Sequence, residues 1–260
     1  MAMDAIKLKQ ATRKFVEHWT FRLRGADIST VRSCPEIMER IRKVREFRLA
    51  SRRESTLRSA GTPALFGAPV ELSQNYVALP KVSSENRLYI PIDYLPAEVI
   101  PGDKLFVMPN ATPYHFGVLT SSVHMAWMRA VCGRMKSDYS YSNTIVYNNF
   151  PWPANPGNPV NPVKNTSADS APQRLCVEKI TVTAQTILDA RAKYPKASFA
   201  DLYDPNAMHL APELVAAHEA NDRAVLAAYG LAPDTSEPEI VANLFRLYAE
   251  KSNTTSNIGD

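Results

Sequence analysis

The chain has 260 residues, 45% of them hydrophobic and 22% charged, the composition of a globular protein able to bury its own core. No run approaches the roughly 18 apolar residues of a membrane span. The first residues, MAMDAIKLKQ, lack the apolar centre of a secretory signal. The cysteines Cys34, Cys132 and Cys176 are scattered, as reduced thiols of a cytoplasmic protein are.

The net charge of +4 is small but unevenly spread. Residues 1–60 hold 15 Lys/Arg against 7 Asp/Glu, residues 61–159 hold 6 of each, and residues 160–260 hold 9 against 13. A basic end suits an anionic polymer, although a solvated helix face has the same signature.

In chain order, residues 4–23 are expected to be helical, with Phe15, Trp19 and Leu23 spaced i, i+4, i+8. Pro35 opens a second helix running to about Arg53. Its apolar stripe is Ile37, Ile41, Val44 and Phe47, and arginines and lysines fill the remainder. Residues 61–72 form an irregular connection. From Asn75 to Met108 the period shortens: YVALPKVS, RLYIPID and KLFVMP are strand-like runs. Pro80, Pro91, Pro101 and Pro109 place those runs at edges and bulges.

Ser121 or Ser122 caps a helix that ends near Cys132 and Gly133. The following DYSYSNTIVYNNF is again strand-like. Residues 154–172 are a Pro/Asn-rich linker. Three helices follow over 173–193, 211–229 and 237–251, and 252–260 form a disordered tail. The expected organisation is thus a basic helical segment (1–60), a mixed domain (61–153), the linker and a helical domain (173–251). The fold class is α+β: a small, twisted, mostly antiparallel sheet with helices, followed by a helical bundle.

Catalytic signatures are missing. The sequence has no glycine-rich phosphate loop, CxxC pair, HExxH or Gly-x-Ser-x-Gly. His115, His124 and Cys132 are better explained as core residues than as metal ligands, because Phe116, Leu119, Val123, Trp127 and Val131 make their surroundings apolar. Asn148-Asn149-Phe150-Pro151 superficially resembles the Asn/Asp-Pro-Pro-Tyr/Phe loop of amino-methylating enzymes but lacks its paired prolines.

Lys136, Asp138 and Ser140 alternate with Tyr139 and Tyr141, so an extended segment would place all three on one face. In a major groove Lys donates to guanine and Asp accepts from the cytosine amino group. A surface ion pair explains the same spacing. Arg134 suits a phosphate or a base. Lys104, Asn110 and the helix residues Arg45, Arg48 and Arg52 complete the DNA-binding candidates.

Several strings resemble one family in order. They are Val44–Ser51 (VREFRLAS), Tyr89-Ile90-Pro91, Tyr114–Ser122 (YHFGVLTSS), His124–Trp127 (HMAW) and Cys132-Gly133-Arg134. Asn148–Pro153, Ala200–Pro205 (ADLYDP) and Ala217–Asp222 (AHEAND) continue the series. Together they resemble the target-recognition and C-terminal helical domains of MmeI-like (type IIL) restriction–modification enzymes.

The resemblance implies a sequence-specific DNA-recognition module, non-catalytic in isolation and without a cofactor of its own. The parent would be an adenine-specific DNA methyltransferase using S-adenosylmethionine, with a fused endonuclease. The implied partners are double-stranded DNA and the parent's upstream methyltransferase domain, with no membrane. It also implies that the Lys136/Asp138 position reads an outer base pair. The alternatives are a complete methyltransferase or nuclease with an unrecognised active site, and a protein–protein docking subunit.

Overall fold

The computed structural model describes residues 7–11, 18–21, 23, 26–65, 72–153 and 171–256. The expected linker lies almost entirely outside them. The described chain forms two compact units.

The first unit gathers β1 (Lys7–Ala11), β2 (His18–Phe21), α1 (Ile28–Arg32), α2 (Pro35–Leu49), α3 (Glu54–Arg58) and β6 (Ile100–Pro101). β1 pairs antiparallel with β2 and parallel with β6. The helix expected over 4–23 is therefore corrected to a pair of short strands. The i, i+4 spacing of aromatics misled because a tertiary pairing partner, β6, lies some 90 residues away and overrides local periodicity.

α1 is capped by Asp27, whose carboxylate accepts from the Thr30 amide at 2.8 Å. Pro35 does open α2, but the helix stops at Leu49 instead of Arg53. Of the expected apolar stripe only Ile37 is buried, and Phe47 is 75% exposed.

The second unit holds the remaining elements. β3 (Tyr76–Pro80) is the centre of an antiparallel sheet with β5 (Asp93–Leu95) and β7 (Leu105–Met108). β9 (Asp138–Ser140) is the centre of another, between β4 (Val82–Ser83) and β8 (Gly133–Met135). Lys81 joins the two sheets: its amide donates to the Lys104 carbonyl at 3.0 Å, and its carbonyl accepts from the Tyr141 amide at 2.9 Å. The strand expected over RLYIPID is confined to Asp93–Leu95. Tyr89, Ile90 and Ile92 are buried without joining a ladder.

α4 (Pro113–Leu119) and α5 (Ser122–Val131) follow, α5 capped by Ser121 as its position predicts. Asn143–Tyr147, expected to be strand, is a π-helical turn. The Trp127 indole N–H holds it by donating to the Val146 carbonyl at 2.9 Å.

The C-terminal helices are α6 (Ala171–Ala192), α7 (Phe199–Leu202), α8 (Pro212–Ala228) and α9 (Glu237–Ser256). α9 carries on five residues beyond the expected end at Lys251. α6 packs on α8 and α4, and α5 on α9. One continuous apolar core runs from Val77 and Ile92 through Trp127 and Phe150 to Ile180, Leu214 and Leu244. The strands of both sheets and the C-terminal helices therefore share a core.

α4 and α6 approach closely at Gly117. A Cβ there would lie 2.8 Å from Ile180 and 3.0 Å from both Ala184 and Asn221. The missing side chain lets α4 lie against α6. The Asn221 amide uses that proximity to donate to the Gly117 carbonyl at 2.8 Å, and its oxygen accepts from Thr183 at 3.0 Å.

A buried polar chain ties the helices to the strands. Arg191, only 6% exposed, donates to the Ile92 carbonyl at 2.9 Å and lies 3.3 Å from the Asp93 carboxylate. It also donates to the Tyr203 hydroxyl, which in turn donates to His218 Nε2 at 2.8 Å. The His218 ring stacks on Tyr89 at 4.2 Å, and the Tyr89 hydroxyl donates to Asp222 at 2.6 Å. Among the described residues, no helix is long and apolar enough to cross a membrane.

Candidate nucleic-acid interface

β8 and β9 form a hairpin with Met135 opposite Asp138, so Lys136 and Ser137 are its two loop residues. Asp138 and Ser140 alternate with buried Tyr139, as the sequence predicts, and both are half-buried. Lys136 is different. It is exposed and sits in the turn with φ 58°. The expected shared strand face is therefore corrected for Lys136. A two-residue hairpin loop needs positive φ to match the strand twist, and this one places a lysine there.

Arg134 has its guanidinium 4.3 Å over the Tyr139 ring. It donates to the Ser137 carbonyl at 3.0 Å and pairs with Glu85 at 3.3 Å. Its donors brace the loop that carries Lys136, so the structure places it as a support for that loop. The tyrosine face, the loop carbonyl and Glu85 were not separable from sequence because Glu85 is 49 residues away.

The other candidates scatter. Arg48 donates to the carbonyls of Ser59, Thr62 and Leu65 at 2.8 to 2.9 Å. Those three bonds close the connection after α3 and give Arg48 a structural role as a clamp. Arg45 and Arg52 are exposed in the first unit. Lys104 is 74% exposed and lies 3.5 Å from Asp103. Asn110 occupies the turn after β7 at φ 54°, a conformation asparagine adopts more readily than most residues. Lys81, which sequence reading passed over, has its ammonium 5.0 Å over the Phe106 ring. Its place between the two sheets puts a cation among the candidates, a signal visible only in the pairing.

The three residues considered as metal ligands have other work. His124 is fully buried: its Nδ1–H donates to the Leu119 carbonyl at 2.7 Å and its Nε2 accepts from Tyr141 at 3.0 Å. Burial pushes its pKa down from 6.5 to about 4, the Leu119 bond opposing. His115 closes a capping box with Thr112. Burial raises the Cys132 thiol, with Arg134 opposing. No group of three potential metal-ligating side chains occurs among the described residues.

Two family models match the chain: "MmeI, target recognition domain" over residues 10–154 and "MmeI, C-terminal domain" over 173–256. A curated relative, DNA methyltransferase A of Bacillus subtilis (strain 168), is 34% identical over 228 residues. That match spans 88% of this chain but 24% of the relative. Among solved structures, the type IIL restriction–modification enzyme MmeI in complex with DNA aligns with a TM-score of 0.80 and 35% identity. The alignment covers 97% of this chain and 32% of that one. The chain spans a quarter to a third of the length of these relatives.

Proposed function

The chain belongs to the MmeI target-recognition-domain family, and from that premise we propose that it is the DNA-reading module of a restriction–modification methyltransferase, with the β8–β9 hairpin entering the major groove. The observation that carries this reading is the hairpin itself. It raises an exposed ammonium at Lys136 and a carboxylate at Asp138 two residues apart, on a loop fixed by Arg134. A donor at the hairpin tip and an acceptor at the start of its second strand can address both partners of one G·C pair. Ser140 stands on the same strand as Asp138, and the basic first unit, with exposed Arg45 and Arg52, supplies phosphate contacts. In the parent enzyme, methyl transfer to adenine from S-adenosylmethionine falls to an upstream domain in the same cytoplasmic protein. The resemblance in sequence supports that division of labour.

The test begins with selection of the preferred duplex from a random pool. The log–log salt slope of binding should steepen by about 0.9 for each phosphate contacted. The double substitution Lys136→Glu with Asp138→Arg should then change the selected base at one position and leave the others. An unchanged site at every position sinks the assignment, and a flat salt response sinks the electrostatic role of the first unit. Labelled methyl incorporated into DNA by this chain alone contradicts the non-catalytic reading.

A further inference from the structure

Within the second unit lies a recess of about 380 Å³ that the readout above does not use. Its lining divides by chemistry. Three aromatic residues, Phe106, Tyr141 and Tyr147, stand in an otherwise apolar wall, and three amides, Asn110, Asn143 and Asn148, contribute paired donors and acceptors. All three asparagines are exposed.

Two irregularities of the backbone lie in its wall. Asn110 turns the chain out of β7 at φ 54°. The π-helical turn Asn143–Tyr147 replaces what would otherwise continue as strand. Such turns are rare and concentrate at functional sites. This one is pinned at two points, by the Ser142 hydroxyl accepting from the Ile145 amide at 3.3 Å and by Trp127.

Two lysines neighbour Phe106, one in space and one in sequence. The Lys81 ammonium stands 5.0 Å from the centre of the Phe106 ring. Lys104 lies two residues before Phe106, with the Asp103 carboxylate 3.5 Å from its ammonium.

Shape decides what this combination can hold. Base edges inside a duplex are met by side chains that protrude into the groove. A recess is filled only by a group that leaves the stack. Aromatic rings stack on any base, amides pair with its edge, and lysines meet its phosphates. We propose that this recess receives one nucleobase of the bound DNA, extruded from its stack, with Lys81 and Lys104 at the flanking phosphates. The inference rests on the DNA-reading function above and assigns it a second contact mode.

The experiment uses the whole chain and its selected duplex, with an abasic residue placed opposite each position in turn. Loss of the partner lowers the cost of extrusion, so affinity should rise about tenfold at a single position. 5-Iodouracil at that position should crosslink under light to the peptide containing Tyr147 or Phe106. Tyr147→Ala should cancel most of the gain, while Tyr147→Phe, which keeps the ring, retains it. Should Tyr147→Ala not fold, the exposed pair Asn143→Ala and Asn148→Ala serves the same purpose.

Free nucleoside monophosphates provide the competing arm. If they occupy the recess as well as the duplex does, assignment to a DNA strand fails. Selective binding of the intact site with no response at any abasic position overturns the inference and leaves the DNA-reading function standing. Failure to bind any duplex removes both.

Discussion

The helical core around α4, α6 and α8 and the β8–β9 hairpin are built on opposite terms. In the core, Arg191, Tyr203, His218 and Asn221 are buried, and their partners lie on other elements. In the hairpin, Lys136 and Ser137 are exposed and the bonds that shape the loop come from Arg134. The first arrangement punishes any change, because a buried group deprived of its partner keeps its desolvation cost. The second tolerates change at its tip. On the proposed function, stability and specificity fall to different residues, and substitutions can separate them.

The largest effect should come from Arg191→Met. The substitution removes donors to the Ile92 carbonyl and Tyr203 and the partner of Asp93. Breaking one side of a buried pair costs about 3–5 kcal/mol. Urea unfolding should register that loss. A change below about 1 kcal/mol would mean that the polar chain contributes nothing beyond packing.

Acidification tests the same core without mutation. Burial holds His124 near a pKa of about 4 against the usual 6.5, and burial, with Arg191 second, lowers His218 as well. The unfolded chain takes up these protons near 6.5, before the folded chain does, so stability is full above that pH and falls as pH drops toward 4. His124 alone contributes on the order of 3 kcal/mol across that window. Asp222 works the other way. Burial raises its carboxyl, with the Tyr89 and Ser122 bonds opposing, so its contribution is present at low pH and lost as pH rises. Thermal unfolding should nonetheless occur at lower temperature at pH 5 than at pH 7. An equal midpoint at both would contradict the dominance of the histidines.

Gly117→Ala should follow in size. Alanine is the better helix former, yet its Cβ would meet Ile180, Ala184 and Asn221 at 2.8 to 3.0 Å. Overpacking of this kind costs about 1–3 kcal/mol. A stabilised protein would show that α4 can shift away from α6.

How much of this contrast was legible in the sequence follows from the range of the forces involved. Helix starts at Pro35 and Ser121 were readable because capping and proline geometry act within one turn. The strand at 105–108 was readable from its β-branched and aromatic content. The strands at 7–11 and 18–21 were not, because the 7–11 strand also pairs with Ile100–Pro101, which is distant in sequence. The candidate site divides in the same way. Asp138 and Ser140 obey the strand alternation, whereas the role of Arg134 depends on Glu85 and that of Arg48 on three distant carbonyls. A guanidinium's charge is written in the sequence, but its hydrogen-bond partners are set by the fold.

The smallest effect on stability sharpens the comparison most, because it should run opposite to the effect on recognition. Lys136 holds φ 58°, a region that costs a non-glycine residue about 1–2 kcal/mol. Glycine enters that region freely. Lys136→Gly should therefore leave the unfolding free energy unchanged or raise it by up to about 1 kcal/mol, after the extra flexibility of glycine in the unfolded chain is subtracted. The same substitution removes the ammonium that the proposed readout offers to guanine, so discrimination at one base pair should fall by about 1–3 kcal/mol. Unfolding and site selection on the same variant measure both. A variant that is less stable and equally selective would mean that the lysine serves the turn and not the DNA. One that is as stable and less selective would mean that the protein tolerates a strained residue at the hairpin tip because of what its side chain reads.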